Sequence, residues 1–128
     1  MIKNISNLGD AALYCDFGKD VNKDTNTKVI RYFKSIQKKN ILGVNNLTPS
    51  YNKLIVSFDL KITSFKNLKK EIENLDIVNS ETITNKKIEI PVCCDEDFSL
   101  DIKRLEEKLK INREKIYENF FDKEFFCY

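Results

Sequence analysis

A chain of 128 residues, 41% hydrophobic and 33% charged, can bury one core with room for a small appendage, which excludes both a disordered tail and two full domains. Its 22 basic and 20 acidic residues leave a net charge of +2, too little to hold a nucleic-acid backbone or an anionic membrane by bulk field. With no His at all, every Ser-His-Asp, Cys-His and His-ligated metal arrangement is removed, and composition names no activity.

The first apolar segments, Ile2 to Ser6 and Ala11 to Phe17, are separated by Gly9-Asp10, which suits the loop between two antiparallel strands. The period then changes. Val29, Ile30, Phe33 and Ile36 recur at three and four, predicting a helix from about Asn22 to Lys39, with Asp20, Asn22 and Asp24 as cap and first-turn acceptors. Lys38 and Lys39 suit its carbonyl end, and Asn40 is the expected stop. Ile41 to Leu47 returns at strand length, closed by Thr48-Pro49-Ser50, where Pro removes a ladder donor. Leu54, Val56 and Phe58 then alternate with Ile55 and Ser57, so one pleat face is strongly apolar. Ser64 is placed to cap a second helix whose Phe65, Leu68, Ile72 and Leu75 share a face. The order strand-strand-helix-strand-strand-helix makes residues 1–78 a β2αβ2α domain.

Residues 76–87 are polar and read as a linker, so residues 79–128 form a second section. Ile88-Glu89-Ile90-Pro91-Val92 alternates until Pro91 and predicts a short strand. A helix is expected from about Ser99 with Ile102, Leu105 and Leu109 on its apolar face. Ile111 and Ile116 then flank Asn112 as a hydrophobic staple at the start of another short helix reaching about Phe121. Phe125-Phe126-Cys127-Tyr128 reads as the start of a strand whose sheet is absent.

Several local patterns invite chemistry and each has a structural alternative. Arg104 to Tyr117 has the outline of a helix-turn-helix, with Arg113 to Tyr117 on the recognition helix, but Lys110 stands where the turn Gly is common. From Ser99 to Phe121 six basic residues face five acidic ones, which favours an ordinary helical hairpin over DNA binding. Asp95, Glu96, Asp97 and Asp101 offer oxygen ligands to a hard cation, yet the sharp-turn Gly of a calcium loop is missing, and an acidic loop ahead of a helix explains them. No two of Cys15, Cys93, Cys94 and Cys127 are spaced as Cys-x-x-Cys, so Cys15 and Cys93 read as small buried hydrophobes, with one thiol of the Cys93-Cys94 pair inward and one outward. No glycine-rich phosphate cradle appears, nor an apolar run long enough for a leader peptide or a membrane span. A reducing cytoplasm is the expected location.

Three segments in register carry a resemblance. Leu8-Gly9-Asp10-Ala11-Ala12-Leu13-Tyr14-Cys15-Asp16-Phe17-Gly18, together with Pro49-Ser50-Tyr51-Asn52-Lys53-Leu54-Ile55-Val56-Ser57-Phe58-Asp59 and Ile88-Glu89-Ile90-Pro91-Val92-Cys93-Cys94 followed by Asp101 and Leu105, is similar to the N-terminal domain of the KipI family. That family takes in the sporulation-kinase inhibitor KipI, the B subunit of bacterial 5-oxoprolinase and proteins named allophanate hydrolase subunit 1. Asn119 stands where members usually have His, and Cys94 replaces a usual Tyr. Members continue past the position of Tyr128 into a cyclophilin-like β-barrel, so a chain truncated before that second domain is expected.

With the resemblance, the expected fold class is α+β: a DCoH-like two-layer β2αβ2α sandwich, an antiparallel sheet with helices on one face, followed by a short strand and a helical hairpin. The resemblance implies the non-catalytic N-terminal portion of the B subunit in a heteromeric, ATP-dependent 5-oxoprolinase. The C subunit, which is allophanate hydrolase subunit 2-like, and the A subunit are the implied partners, and the family pocket involves the missing barrel. The chain itself is therefore assigned no catalytic, cofactor-binding or metal residues, and ATP belongs to the complex. KipI-like inhibition of a histidine kinase is the first alternative, and a small helix-turn-helix DNA-binding protein the second. Candidate partner-contact residues are Tyr51, Phe120, Phe121, Phe125, Phe126 and Tyr128. The last three are named because an apolar edge invites pairing, self-association included.

Overall fold

Alternation along four short strands sets the architecture of the computed structural model, which describes residues 1–77 and 86–128. Strands β1 (Asn4–Asn7) and β2 (Ala12–Asp16) form one hairpin, and β3 (Val44–Pro49) and β4 (Lys53–Phe58) the other, each followed by a helix, α1 (Lys23–Lys39) and α2 (Phe65–Glu73). All pairings are antiparallel in the order β1-β2-β4-β3, so the hairpins meet along β2 and β4. Period two aligns Ile5, Cys15 and Leu54 in one row across the sheet and Leu13, Val56 and Leu47 in the next. Those rows pack against Val29 and Ile36 of α1 and Leu68 and Ile72 of α2 in one core. Because the buried residues of each strand alternate with the exposed ones, both helices lie on one face of the sheet. The α+β two-layer fold is thus the one the sequence leads to.

The helix ends follow the polar punctuation. Asn22 caps α1 by accepting from Thr25 N at 2.8 Å, Asn40 ends it in the left-handed region at φ 48°, and Ser64 caps α2 through Asn67 N. The third strand is displaced from expectation. Gly43 at φ +89° closes a turn in which Val44 N donates to Ile41 O, so β3 begins at Val44 and runs through Thr48 to Pro49. Pro49 is tolerated there because β3 is an edge strand, where a missing donor breaks no inner ladder.

The chain divides into two units. Among the described residues the first holds 1–77 with Tyr128 and the second holds 86–127. The boundary expected at 78/79 and most of the expected linker fall on residues 78–85, outside the described residues. In the second unit, α3 (Ile102–Leu109) and α4 (Arg113–Phe121) form the helical hairpin. Asn112 caps α4 by accepting from Lys115 N at 3.0 Å, and the Glu106 carboxylate on α3 accepts from Arg113 N at 2.8 Å, so a single side chain ties the two helices. Lys110 takes φ +55° at the turn, the conformation a Gly would adopt without strain.

Three expectations for this unit are corrected. Residues 88–92 form no strand: Ile88, Ile90 and Val92 are exposed, since alternation specifies a face but no partner strand, and Pro91 removes a donor. Residues 124–128 form none either. Helix α3 starts at Ile102 rather than Ser99, because a 3-10 turn takes Glu96–Phe98 and the Ser99 hydroxyl donates back to Cys94 O at 3.2 Å.

Candidate functional site

The polar side chains that close β2 and open β4 meet at one corner of the sheet. Asp16 and Lys53 are register partners, and Asp16 Oδ1 accepts from Lys53 Nζ at 2.5 Å and from Gly18 N at 2.7 Å. Lys53 Nζ also donates to Gly18 O at 2.6 Å, which accepts Asn52 Nδ2 at 2.9 Å as well. The ammonium lies 6.0 Å from the Tyr14 ring centroid, so its donors and its charge are engaged on several sides. Gly18 sits at φ +125°, a conformation that residues with a side chain rarely adopt, which favours Gly where the strand closes on Phe17-Gly18.

From the helix side, the buried Asn26 donates through Nδ2 to Ser50 O and Tyr51 O, both at 3.2 Å. From the strand side, Phe17 N donates to Asn52 O at 3.1 Å. The turn 50–52 is therefore fastened on both sides while the Tyr51 ring remains 55% exposed. Its one ring neighbour among the described residues is Tyr128, edge-to-face with centroids 5.5 Å apart. Two of the three segments that carry the resemblance, Leu8 to Gly18 and Pro49 to Asp59, thus come together here. The third, Ile88 to Cys94, lies in the second unit.

Electrostatics at the corner is structural in kind. The hydrogen bond from Lys53, then that from Gly18 N, holds the Asp16 carboxyl below its ordinary value of 3.8. Burial pushes the Cys15 thiol up to about 12, which leaves it protonated and inert. Cys93 is corrected from buried to exposed, and its neighbour Cys94 is half-buried, because the segment that carries them is not a strand with an inner face. Among the described residues no group of three or more Cys, Asp or Glu is placed to hold a metal ion.

The six partner-contact candidates fall into two groups. Tyr51 and Tyr128 belong to the first unit; Phe120, Phe121 and Phe125 form an exposed aromatic cluster in the second, with centroids 5.3 Å apart for Phe120 against each of the other two. Phe126 is half-buried. Of the basic residues opening α4, Arg113 lies 3.8 Å from Glu96 and Lys115 bonds Glu118 at 2.7 Å, so this helix offers a DNA duplex little uncommitted charge. The residues that sequence reasoning left out of the site are Asp16, Asn26, Asn52 and Lys53. The available signal was polar character at strand ends inside the two resembling segments. Asn26, on a helix, gave none.

A family model described as carboxyltransferase domain, subdomain C and D, matches residues 3–128. The B subunit of 5-oxoprolinase from Bacillus subtilis (strain 168) is 29% identical over 121 residues, which is 85% of this chain and 49% of that protein. A conserved uncharacterized protein from Pyrococcus horikoshii superposes with a TM-score of 0.55 at 26% identity, over 90% of this chain and 53% of the other. The N-terminal domain of the histidine kinase inhibitor KipI from Bacillus subtilis aligns at 26% identity and a TM-score of 0.46, over 55% of this chain and 79% of that one. The chain spans about half the length of the curated relative it matches.

Proposed function

Because the chain belongs to the carboxyltransferase domain family, subdomain C and D, and within it resembles the N-terminal domain shared by KipI and the 5-oxoprolinase B subunit, we propose that it supplies the amino-terminal portion of such a B subunit. In that role it is a scaffold that positions the partner A and C subunits for ATP-dependent opening of a cyclic amide, and it carries no catalytic group of its own. The observation that supports this most is the 29% identity over 121 residues, 85% of the chain, beside a family model that matches residues 3–128. The geometry agrees with a scaffold. The one thiol in the core is protonated, the corner carboxylate is tied to a lysine, and Tyr51, Phe120, Phe121 and Phe125 are exposed aromatic rings.

On this reading Tyr51 with Tyr128, and Phe120, Phe121 and Phe125, are the contact surfaces offered to the partners. Large aromatic side chains contribute most of the energy at such interfaces when they fill a pocket. The four unpaired thiols fit a reducing cytoplasm, and no helix among the described residues is long and apolar enough to cross a membrane.

The test is 5-oxoproline-dependent ATP hydrolysis. The purified 128-residue chain alone is expected to give none, and the chain is expected to co-purify with the A and C subunits when the three are co-expressed. Turnover by the chain alone overturns the scaffold role. Co-purification with a sporulation histidine kinase, and loss of its autophosphorylation, would give the inhibitor reading in its place.

A further inference from the structure

Charge divides unevenly along the chain: residues 1–77 hold 13 basic and 8 acidic side chains, and residues 78–128 hold 9 basic and 12 acidic. In the first unit Lys39 and Lys70, with Glu71, line a groove of about 560 Å³ between the end of α1, the α2 helix and the loops before β3 and α2, and Lys38, Lys61 and Lys66 are chain neighbours of its lining residues. Asp59 orders the turn that brings Ile62 and Thr63 to one wall, accepting Lys61 N at Oδ1 and Ile62 N and Thr63 N at its carbonyl. Gly43, next to Leu42 on the facing loop, sits at φ +89°, and a Cβ there would lie 2.9 Å from Thr63 Cγ2, so Gly lets the two loops approach. The walls present Ile41, Leu42 and Ile62 to solvent or half so, with Leu42 79% exposed. Lys39 and Glu71 pair across the rim at 2.8 Å, while Lys38, Lys61, Lys66 and Lys70 make no ion pair among the described residues.

The second unit carries the complementary segment. Asp95-Glu96-Asp97-Phe98-Ser99-Leu100-Asp101 sets four carboxylates around two apolar side chains that are left in water, Phe98 at 71% and Leu100 at 91% exposure. Two of those carboxylates have Arg partners, Asp101 with Arg104 at 3.1 Å and Glu96 with Arg113 at 3.8 Å; Asp95 and Asp97 have none among the described residues. A nearly fully exposed Leu within an acidic run, and a Lys-rimmed apolar groove, each lack what the other offers.

We propose that the groove of one copy of this chain docks the Asp95–Asp101 segment of a second copy, with Phe98 and Leu100 on the Ile41, Leu42 and Ile62 walls and the free carboxylates facing the Lys66 and Lys70 side. The contact is heterologous, so it propagates head to tail unless the rotation closes a ring. It is independent of the enzyme reading and uses a different surface from the terminal aromatics.

Two charge reversals test it by sedimentation velocity at low salt over a wide concentration range, with circular dichroism confirming the fold of each. Wild type is expected to grow in mass beyond a dimer with concentration. The groove variant Lys66→Glu with Lys70→Glu, and the segment variant Asp95→Lys with Asp97→Lys, are each expected to associate at least about tenfold more weakly. An equimolar mixture of the two is expected to regain association, because the intact segment of one meets the intact groove of the other and the two reversed surfaces are again opposite in charge, whereas Phe125→Ser leaves wild-type association in place. A wild type that stays monomeric, variants that associate as wild type does, a mixture that stays monomeric, or loss of association in Phe125→Ser each overturns the proposal.

Discussion

Asn26 is the buried link between α1 and the Tyr51 turn, and replacing it by Asp separates its chemistry from its shape. In the wild type one amide nitrogen serves two carbonyls, Ser50 O and Tyr51 O, at 3.2 Å each. Asn26→Ala removes both bonds and leaves two acceptors in a part-buried place, a loss of about 2 kcal/mol when each bond contributes about 1 kcal/mol net. Asn26→Asp keeps the volume but sets carboxylate oxygens against carbonyl oxygens, and desolvation with no donor raises the pKa of the new carboxyl. The folded state then binds the proton more tightly than the unfolded state, so the variant is most stable below the unfolded carboxylate value of about 4. It loses stability as pH rises through the raised folded value, by about 1.4 kcal/mol for every pH unit that separates the folded value from the unfolded one. Urea unfolding at pH 4 and pH 7 is expected to show Asn26→Asp about 3–4 kcal/mol below wild type at pH 7, with a clearly smaller gap at pH 4. An Asn26→Asp variant as stable as wild type at neutral pH, or one whose deficit grows on acidification, would refute the assignment of the Asn26 amide as the donor that holds the turn.

The wild type's own acid response runs the other way. Asp16 is held below 3.8 by Lys53 and Gly18 N, so its contribution is present above the unfolded value and is lost as pH falls through the folded one; Asp16→Asn is expected to lower stability at pH 7 and to flatten this acid limb in urea melts. Lys110→Gly is expected to stabilise the helical hairpin by about 0.5–1 kcal/mol, seen as a higher melting temperature, because φ +55° costs a lysine what it does not cost a glycine. Native-state titration with a thiol reagent is expected to label the exposed Cys93 and Cys127 readily and to leave Cys15 untouched until denaturant is added; rapid labelling of Cys15 would contradict its burial.

Much of the fold is legible because its signals are local. The alternation of Leu54, Val56 and Phe58, the 3-and-4 spacing of Val29 and Ile36, and the caps Asn22, Ser64 and Asn112 each act within a few residues, and each is found where the pattern puts it. Failures arise where the decisive partner is remote or missing. Ile88, Ile90 and Val92 alternate as strand residues do, yet no neighbouring strand among the described residues completes a ladder, so the pattern yields exposed apolar side chains. The limits of β3 depend on its being an edge, which decides that Pro49 can stay in the ladder and which no residue near Pro49 announces. Cys93 follows the same logic: its inward position required a strand that is not formed. At the corner, the resembling segments could be read, but the contact between Asn26 and a turn 24 residues away could not, because it is made by the packing of α1 over the sheet.

Co-expression of this chain with the tagged C subunit of a 5-oxoprolinase, followed by affinity capture and mass determination, tests the scaffold role most directly. A complex containing this chain is expected, weakened by Tyr51→Ala or by Phe120→Ala with Phe121→Ala while the fold is retained. Capture of the C subunit without this chain, or a complex indifferent to all three aromatic substitutions, would contradict it.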